Sequence, residues 1–365
     1  MIPRFVDHYT AAMTTFHLLD AANAESYLRG TGWIGPDERV SVRALSGGVS
    51  NEVLYVTRPD RPGEDFVLKQ ARAQLRTPDP WFCGVDRIWR EVEVLRICER
   101  LLAVPRKDED ALVAQTPRIL HEDRDNFAFA MTAAPAEHRV WKAELLEGQA
   151  RPDIAAACGR LLGQLHAGSW LDAAVATRLD DRRVFDELRL DPYYRSVARA
   201  HSDYAPAFER LIDSVWQHRR CLVHADFSPK NLLVFRRGLL MVDFETGHFG
   251  DPAFDLGFFL SHLVLKAARF APQHEAYLQL TNVFWREYRA ELSRCVDDGA
   301  WSDLEHRAVQ NFAGCAWARL DGISKIDYLA DPARRDVIRS LCQNLLEETN
   351  SDWHAALGQF SSRVS

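Results

Sequence analysis

Leu222-Val223-His224-Ala225-Asp226-Phe227-Ser228-Pro229-Lys230-Asn231 is followed, seventeen positions after Asp226, by Asp243 in Met241-Val242-Asp243-Phe244-Glu245. Between them Leu232-Leu233-Val234-Phe235, a turn at Arg236-Arg237-Gly238 and Leu239-Leu240-Met241-Val242 read as a β-hairpin. Asp226 and Asn231, five apart on a loop, can present a carboxylate and an amide oxygen on one side of a pocket. Asp243, at the end of the hairpin, can face them. A carboxylate can orient a hydroxyl and accept its proton. Asp and Asn oxygens are the hard ligands that magnesium takes. Those are the parts that moving a γ-phosphoryl group requires.

The rest of the chain is compatible with an enzyme and excludes other classes. Its 365 residues exceed what one compact core usually supports, so two lobes are expected. With 47% hydrophobic and 27% charged residues it is not a disordered chain. Forty-five basic against 52 acidic residues leave a formal −7, which gives no electrostatic reason to bind nucleic acid or anionic lipid. The seven cysteines lie at no zinc or redox spacing and read as small apolar residues in a reducing compartment. Residues 1–16 lack a basic-then-apolar leader pattern. The most apolar stretch, Phe254 to Phe270, contains Asp255, His262 and Lys266 and is too polar to cross a bilayer. A soluble, cytoplasmic protein is expected.

Composition changes near residue 135. Before it, Val53-Leu54-Tyr55-Val56-Thr57 and Phe66-Val67-Leu68-Lys69 read as strands joined by the turn-rich Arg58 to Glu64. Helical spacing of Val85, Ile88, Trp89, Val92 and Leu95 predicts a helix from 85 to 102, and Phe127 to Met131 reads as a further strand. After it, Ile154, Cys158, Leu161, Leu162 and Leu165 share one helical face, leading into Leu165-His166-Ala167-Gly168. More helices are predicted at 205–218, 253–268, 274–294, 303–323 and 333–348. The expected class is α+β: a small β-rich N-lobe, 1–135, and a larger, mostly helical C-lobe, 136–365.

His-x-Asp-x-x-x-x-Asn followed by Asp-Phe-Glu resembles the catalytic and metal-binding loops of the protein-kinase superfamily. Gly250-Asp251-Pro252-Ala253-Phe254-Asp255-Leu256-Gly257 is similar to a run of its aminoglycoside phosphotransferase and choline kinase branch. The resemblance implies ATP and Mg2+ as cofactors, Asp226 as catalytic base, and Asn231, Asp243 and Glu245 as magnesium ligands. Ala225 stands where that branch usually has Gly, and Ser228 where protein kinases carry a lysine. His224 reads as a brace of the loop rather than a base. Read alone, Asp255 is the cap of the helix that follows.

The same resemblance demands a glycine-bearing phosphate loop, a strand lysine and a helix glutamate upstream. Gly47, Gly48, Ser50 and Asn51, in Ser46-Gly47-Gly48-Val49-Ser50-Asn51, fit the loop, whose glycines let backbone amides approach phosphates. Lys69 fits the lysine that pairs with the α/β-phosphates. Its partner is Glu91 or Glu93, and helical geometry separates them. Glu91 shares a stripe with Ile88, Leu95 and Cys98 and points inward; Glu93 shares one with Trp89, Arg90, Arg96 and Arg100, a solvated face. Met131 to Pro135 corresponds to the segment joining the lobes, whose backbone holds adenine.

Two regions are most similar to the methylthioribose kinases: Lys69-Gln70-Ala71-Arg72 with Trp81 through Ile88, and Ala318-Arg319-Leu320-Asp321-Gly322-Ile323-Ser324-Lys325-Ile326. By that likeness Arg319 and Lys325 touch a sugar-like substrate, Lys325 replacing a histidine and Ala318 an arginine. Without it they are surface residues of a helix end. The implied partner is a small hydroxylated molecule, with no nucleic acid or membrane, and a homodimer is allowed. Three functions stay open: a methylthioribose-type kinase, an aminoglycoside, choline or homoserine-type phosphotransferase of the same fold, and a non-catalytic nucleotide-binding pseudokinase.

Overall fold

Alternation of Leu54 and Val56 with half-exposed neighbours makes Asn51–Thr57 a strand with one face inward, and it pairs antiparallel with the fully buried Phe66–Ala71. The computed structural model describes residues 17–45, 51–74, 76, 84–103, 112–348 and 351–364. In chain order the first elements are α1 (Ala24–Gly30), β1 (Ser41–Ala44), β2 (Asn51–Thr57), β3 (Phe66–Ala71), α2 (Arg87–Leu102), β4 (Val113–Gln115), β5 (Ile119–Asp123) and β6 (Ala128–Thr132). Five of these strands form one antiparallel sheet in the order β1-β2-β3-β6-β5. Leu54, Val56, Phe66, Leu68, Ala128 and Ala130 on one face of it pack under Leu19, Ala24, Leu28 and Ile34.

Contacts divide the chain into two units, Met1–Val92 with Pro117–Pro135, and Glu93–Thr116 with Ala136–Ser365. The boundary falls within α2, so residues 93–116, placed with the N-lobe by the sequence reading, group with the second unit.

The second unit contains β7 (Arg139–Val140), α3 (Trp141–Leu146), α4 (Pro152–Gly168), α5 (Ala173–Arg178), α6 (Arg183–Phe185), a π-helical turn Asp186–Arg195, α7 (Ser196–Ala200) and α8 (Ala205–Gln217). After these come β8 (Cys221–Val223), β9 (Leu232–Phe235), β10 (Gly238–Met241), β11 (His248–Gly250), α9 (Pro252–Arg269), α10 (Glu275–Leu292), α11 (Asp298–Asp321), α12 (Pro332–Glu347) and α13 (Trp353–Val364). β9 and β10 form the expected hairpin, with β4 and β7 on its two edges, and β8 pairs with β11. The long helices fall within a few residues of their predicted ranges. Missing from the sequence reading are α1, α3, α5, α6, α7, the π-helical turn, α13 and several strands of two to five residues.

Helix α9 is the axis of this unit: every residue from Pro252 to Ala268 is buried. Asp251 caps it by accepting from Ala253 N–H, and Pro252 occupies the first turn, where its missing N–H costs nothing. A Cβ on Gly257 would lie 2.4 Å from Phe312 N, so only glycine lets α9 and α11 approach this closely. Among the described residues no helix is long and apolar enough to cross a membrane. The described cysteines are all free thiols, and only Cys295 is exposed.

Candidate active site

Each unit holds part of the predicted set. In the first, Lys69 lies inside β3, opposite Phe129 of β6, rather than at a strand end, because the strand runs on to Ala71. Its Nζ is 2.7 Å from Oε2 of Glu91, and both side chains are buried. Glu93 instead meets Arg178 at 3.2 Å on a half-exposed face. Buried Asn51 starts β2, its Oδ1 3.5 Å from Nη2 of Arg87. Met131 is a buried member of β6, which ends at Thr132. Gly47, Gly48 and Ser50 lie outside the described residues.

In the second unit β8 delivers the chain into a buried loop, and the hairpin returns it alongside. Val242 N–H donates 3.0 Å to Asn231 O, which extends the ladder of β9 and β10 to the two positions flanking it. Asp226 is 2% exposed. Its Oδ1 is 2.9 Å from Nη2 of Arg189, and its Oδ2 is 2.9 Å from Nζ of Lys230 and accepts from Asn231 Nδ2 at 2.8 Å. Burial pushes the carboxyl up, but Arg189 and Lys230 outweigh it and hold it at about 2. Asp226 is therefore an anion throughout the physiological range.

The loop is braced by groups the sequence reading assigned otherwise or missed. Asp255 does not cap α9, since Asp251 does. Its Oδ2 accepts from His224 N–H and its Oδ1 from Ala225 N–H, both at 2.7 Å, and His166 Nε2 is 3.2 Å away. His224 Nδ1 accepts from Asp226 N–H at 3.1 Å, a bracing contact. Arg189, missed entirely, also donates 2.6 Å from Nε to Ala225 O. It lies on the π-helical turn, 37 positions upstream of Asp226, in a segment without apolar periodicity. Pro192 within that turn was its one local signal, and such turns recur at functional sites. Ser228 is fully buried, and the ammonium beside Asp226 comes from Lys230 instead.

Backbone strain concentrates here. Among the described residues four non-glycines have positive φ, and two of them are Ala225 (59°) and Asp243 (72°). Such outliers persist where surrounding structure over-determines them, commonly at functional sites. Residues 41–293 match the phosphotransferase enzyme family. The chain belongs to that family.

Among curated proteins this chain is 24% identical over 284 residues to methylthioribose kinase of Yersinia pseudotuberculosis serotype O:3 (strain YPIII), a match covering 69% of this chain and 66% of that enzyme. It is 23% identical over 281 residues to methylthioribose kinase of Cronobacter sakazakii (strain ATCC BAA-894), covering 69% of this chain and 67% of that enzyme. The chain thus spans about two thirds of the length of these relatives. Among solved structures it is similar to the amicoumacin kinase hAmiN in complex with AMP-PNP, Ca2+ and Ami, at TM-score 0.53 and 14% identity over 89% of this chain and 94% of that one. A choline kinase from Cryptosporidium parvum Iowa II gives TM-score 0.50 and 12% identity over 94% of each chain. The chain has the protein-kinase-like fold.

Asp243 and Glu245 follow the hairpin, and both act electrostatically on Arg189. Asn231 turns its amide nitrogen to Asp226, so Oδ1 is the atom that would meet a cation. Among the described residues no three His, Cys, Asp or Glu side chains form a ready cage for a metal. Magnesium held by one or two carboxylates, waters and phosphates needs none, so this donor set fits it. Of the two predicted substrate residues, Arg319 donates 3.2 Å to Tyr193 Oη and 2.6 Å to Ser324 Oγ, while Lys325 is exposed.

Proposed function

We propose that this chain is an ATP-dependent small-molecule kinase that moves the γ-phosphoryl group of ATP to a hydroxyl of a sugar-like acceptor, in the manner of the methylthioribose kinases it resembles. The observation that carries the reading is the state of Asp226. It is a buried carboxylate, held ionised by Arg189 and Lys230, on a loop fixed through Asp255. An acceptor O–H bonded to that carboxylate is oriented for in-line attack. The acceptor oxygen bonds to the γ-phosphorus as the bond to the β–γ bridging oxygen breaks, ADP leaves, and the acceptor proton passes to Asp226.

Lys69, fixed by Glu91, is assigned to the α/β-phosphates, with the loop of Gly47, Gly48, Ser50 and Asn51 and the backbone from Met131 completing nucleotide binding. Asn231, Asp243 and Glu245 would hold Mg2+, whose chemistry is to neutralise charge on the phosphate oxygens. The pairing of Lys69 with Glu91 and the ionised Asp226 support catalysis over a non-catalytic nucleotide binder.

The test is ADP release from ATP and Mg2+ across a panel of methylthioribose and other sugars, amino alcohols and aminoglycosides, alongside ATP titration with and without Mg2+. Acceptor-stimulated ADP release is the expected result. Magnesium-dependent ATP binding with no acceptor turning over would favour the pseudokinase.

A further inference from the structure

Asp255, Phe258, His262 and Lys266 follow one another at spacings of three and four, so they form one stripe on α9. The stripe begins at the catalytic loop, where Asp255 takes two backbone amides. It ends on two groups with no evident reason to be buried. Lys266 is 1% exposed and, among the described residues, donates from Nζ only to His262 O, 3.0 Å away on its own helix, while lying 5.1 Å over the Tyr328 ring. His262 is 7% exposed, its ring 5.1 Å from that of Phe258, and its Nε2 has no hydrogen-bond partner among the described residues.

The surroundings add positive charge. Lys142 on α3 and Arg319 on α11 both act on Lys266 and on His262, and Lys230, the ion-pair partner of Asp226, also acts on His262. Tyr328 Oη and Arg319 Nε are likewise buried without partners among the described residues. Asp327 acts on Tyr328, but no carboxylate among the described residues acts on Lys266. Burial, then these neighbours, brings the Lys266 ammonium down to about 7. Buried charges in proteins are ordinarily paired, and leaving one unpaired beside like charges is costly. Unpartnered polar groups gathered beside cationic neighbours mark a place for an anionic ligand.

Neighbouring side chains lead from the cluster toward Asp226. Arg189, bonded to Asp226, lies 5.8 Å over the ring of Phe258, which touches His262. Lys230 touches Asp226 directly.

We propose that the acceptor of this kinase is a hydroxylated oxyanion, a carboxylate or phosphate monoester, whose anionic group is received by Lys266, His262, Lys142 and Arg319 while its hydroxyl meets Asp226. The inference rests on the kinase reading above. It excludes aminoglycosides and choline, whose cationic groups this cluster repels, and it makes Lys266 a specificity-determining residue in place of the exposed Lys325.

The test uses the full chain and two readouts. In titration calorimetry the probes are gluconate, ribose 5-phosphate, inorganic phosphate, ribose and choline; the ADP-release assay uses the four hydroxylated ones. The expected result is binding of gluconate or a phosphate probe, with ribose and choline inert, and acceptor-stimulated ADP release from one of the anionic alcohols. Gluconate against ribose 5-phosphate tells the carboxylate from the phosphate ester. Lys266→Met should weaken the anion about ten- to a hundred-fold and leave ATP affinity unchanged. Lys142→Gln, on a half-buried position, should weaken it by a smaller factor. Tighter binding or better turnover of ribose or choline than of every anion overturns the proposal, as does unchanged anion affinity in both variants. Anion binding lost in Lys266→Met, without ATP turnover on any alcohol, would uphold the anion site and overturn the kinase reading.

Discussion

Arg189 holds Oδ1 of Asp226 at 2.9 Å with one nitrogen and the carbonyl of Ala225 at 2.6 Å with another, so one side chain fixes both the Asp226 carboxylate and the backbone that carries it. The pair is buried, and each charge depends on the other. A carboxylate kept at about 2 is a weak proton acceptor but a constant hydrogen-bond acceptor. On the proposed reading Asp226 contributes mainly through orientation and charge, as a loose phosphoryl-transfer transition state allows.

The first expectation concerns pH. With Asp226 depressed to about 2, kcat/KM of the parent should show no acidic limb from this group down to about pH 4. Arg189→Gln removes the stronger of its two charge partners and leaves the carboxyl buried, so its pKa rises and an acidic limb enters the measurable range. A flat profile in Arg189→Gln would refute this account of the pair. The same depression has a stability consequence: the contribution of Asp226 is present above pH about 3.9 and is lost as pH falls through about 2.

Asp226→Asn keeps the size and one hydrogen bond but removes charge and proton acceptor. Turnover should fall about a hundred- to ten-thousand-fold. ATP affinity should be retained, since Lys69 and Glu91 are untouched. Full acceptor-dependent ADP formation in this variant would rule out the assignment; loss of nucleotide binding as well would point to a structural role.

Asp243→Asn should leave the fold intact and raise the magnesium concentration needed for half-maximal activity, because one anionic ligand of a shared site is gone. A magnesium titration of turnover decides it, and an unchanged half-point excludes Asp243 as a ligand.

Ala225→Gly should stabilise the protein by roughly 1 kcal/mol. At φ 59° alanine bears a steric penalty that glycine lacks. Denaturant midpoints at constant slope are the measurement, and a less stable variant would show that the extra freedom of glycine in the unfolded chain prevails.

Lys266 offers a stability test without any ligand. An unfolded lysine titrates near 10.4, whereas burial, then Lys142 and Arg319, lowers the folded value to about 7. Between those limits the unfolded chain binds the extra proton, so this group makes stability rise with pH from about 7 to 10. Lys266→Met should be the more stable protein at pH 6 and lose that part of the slope. Parallel stability–pH curves for parent and variant would contradict the buried, unpaired state of the ammonium.

What the sequence disclosed follows how locally each feature is encoded. The hairpin, the loop of Asp226 and the inward choice of Glu91 over Glu93 depend on residues within a few positions of one another. Strand and helix periodicity therefore sufficed to place them. Arg189 and Asp255 act on the loop across 30 to 36 positions and His166 on Asp255 across 89, through tertiary folding, and none carries a spacing signature. Asp255 was visible in its run yet read as a cap, because a cap is the local role of Asp before an apolar helix. Lys266 and His262 were noticed only as polar interruptions of an apolar stretch. Their environment comes from α3, α11 and the segment beyond it.

The bond from Asp255 to the amides of His224 and Ala225 turns α9 into a ruler. Asp251 sets where the helix starts, and Asp255 hangs one turn along it. Inserting a single residue between them would rotate the carboxylate about 100° and advance it about 1.5 Å, out of line with both amides. The four-residue interval is thus a tolerance on chain length: an insertion or deletion between Asp251 and Asp255 would unhitch the loop of Asp226.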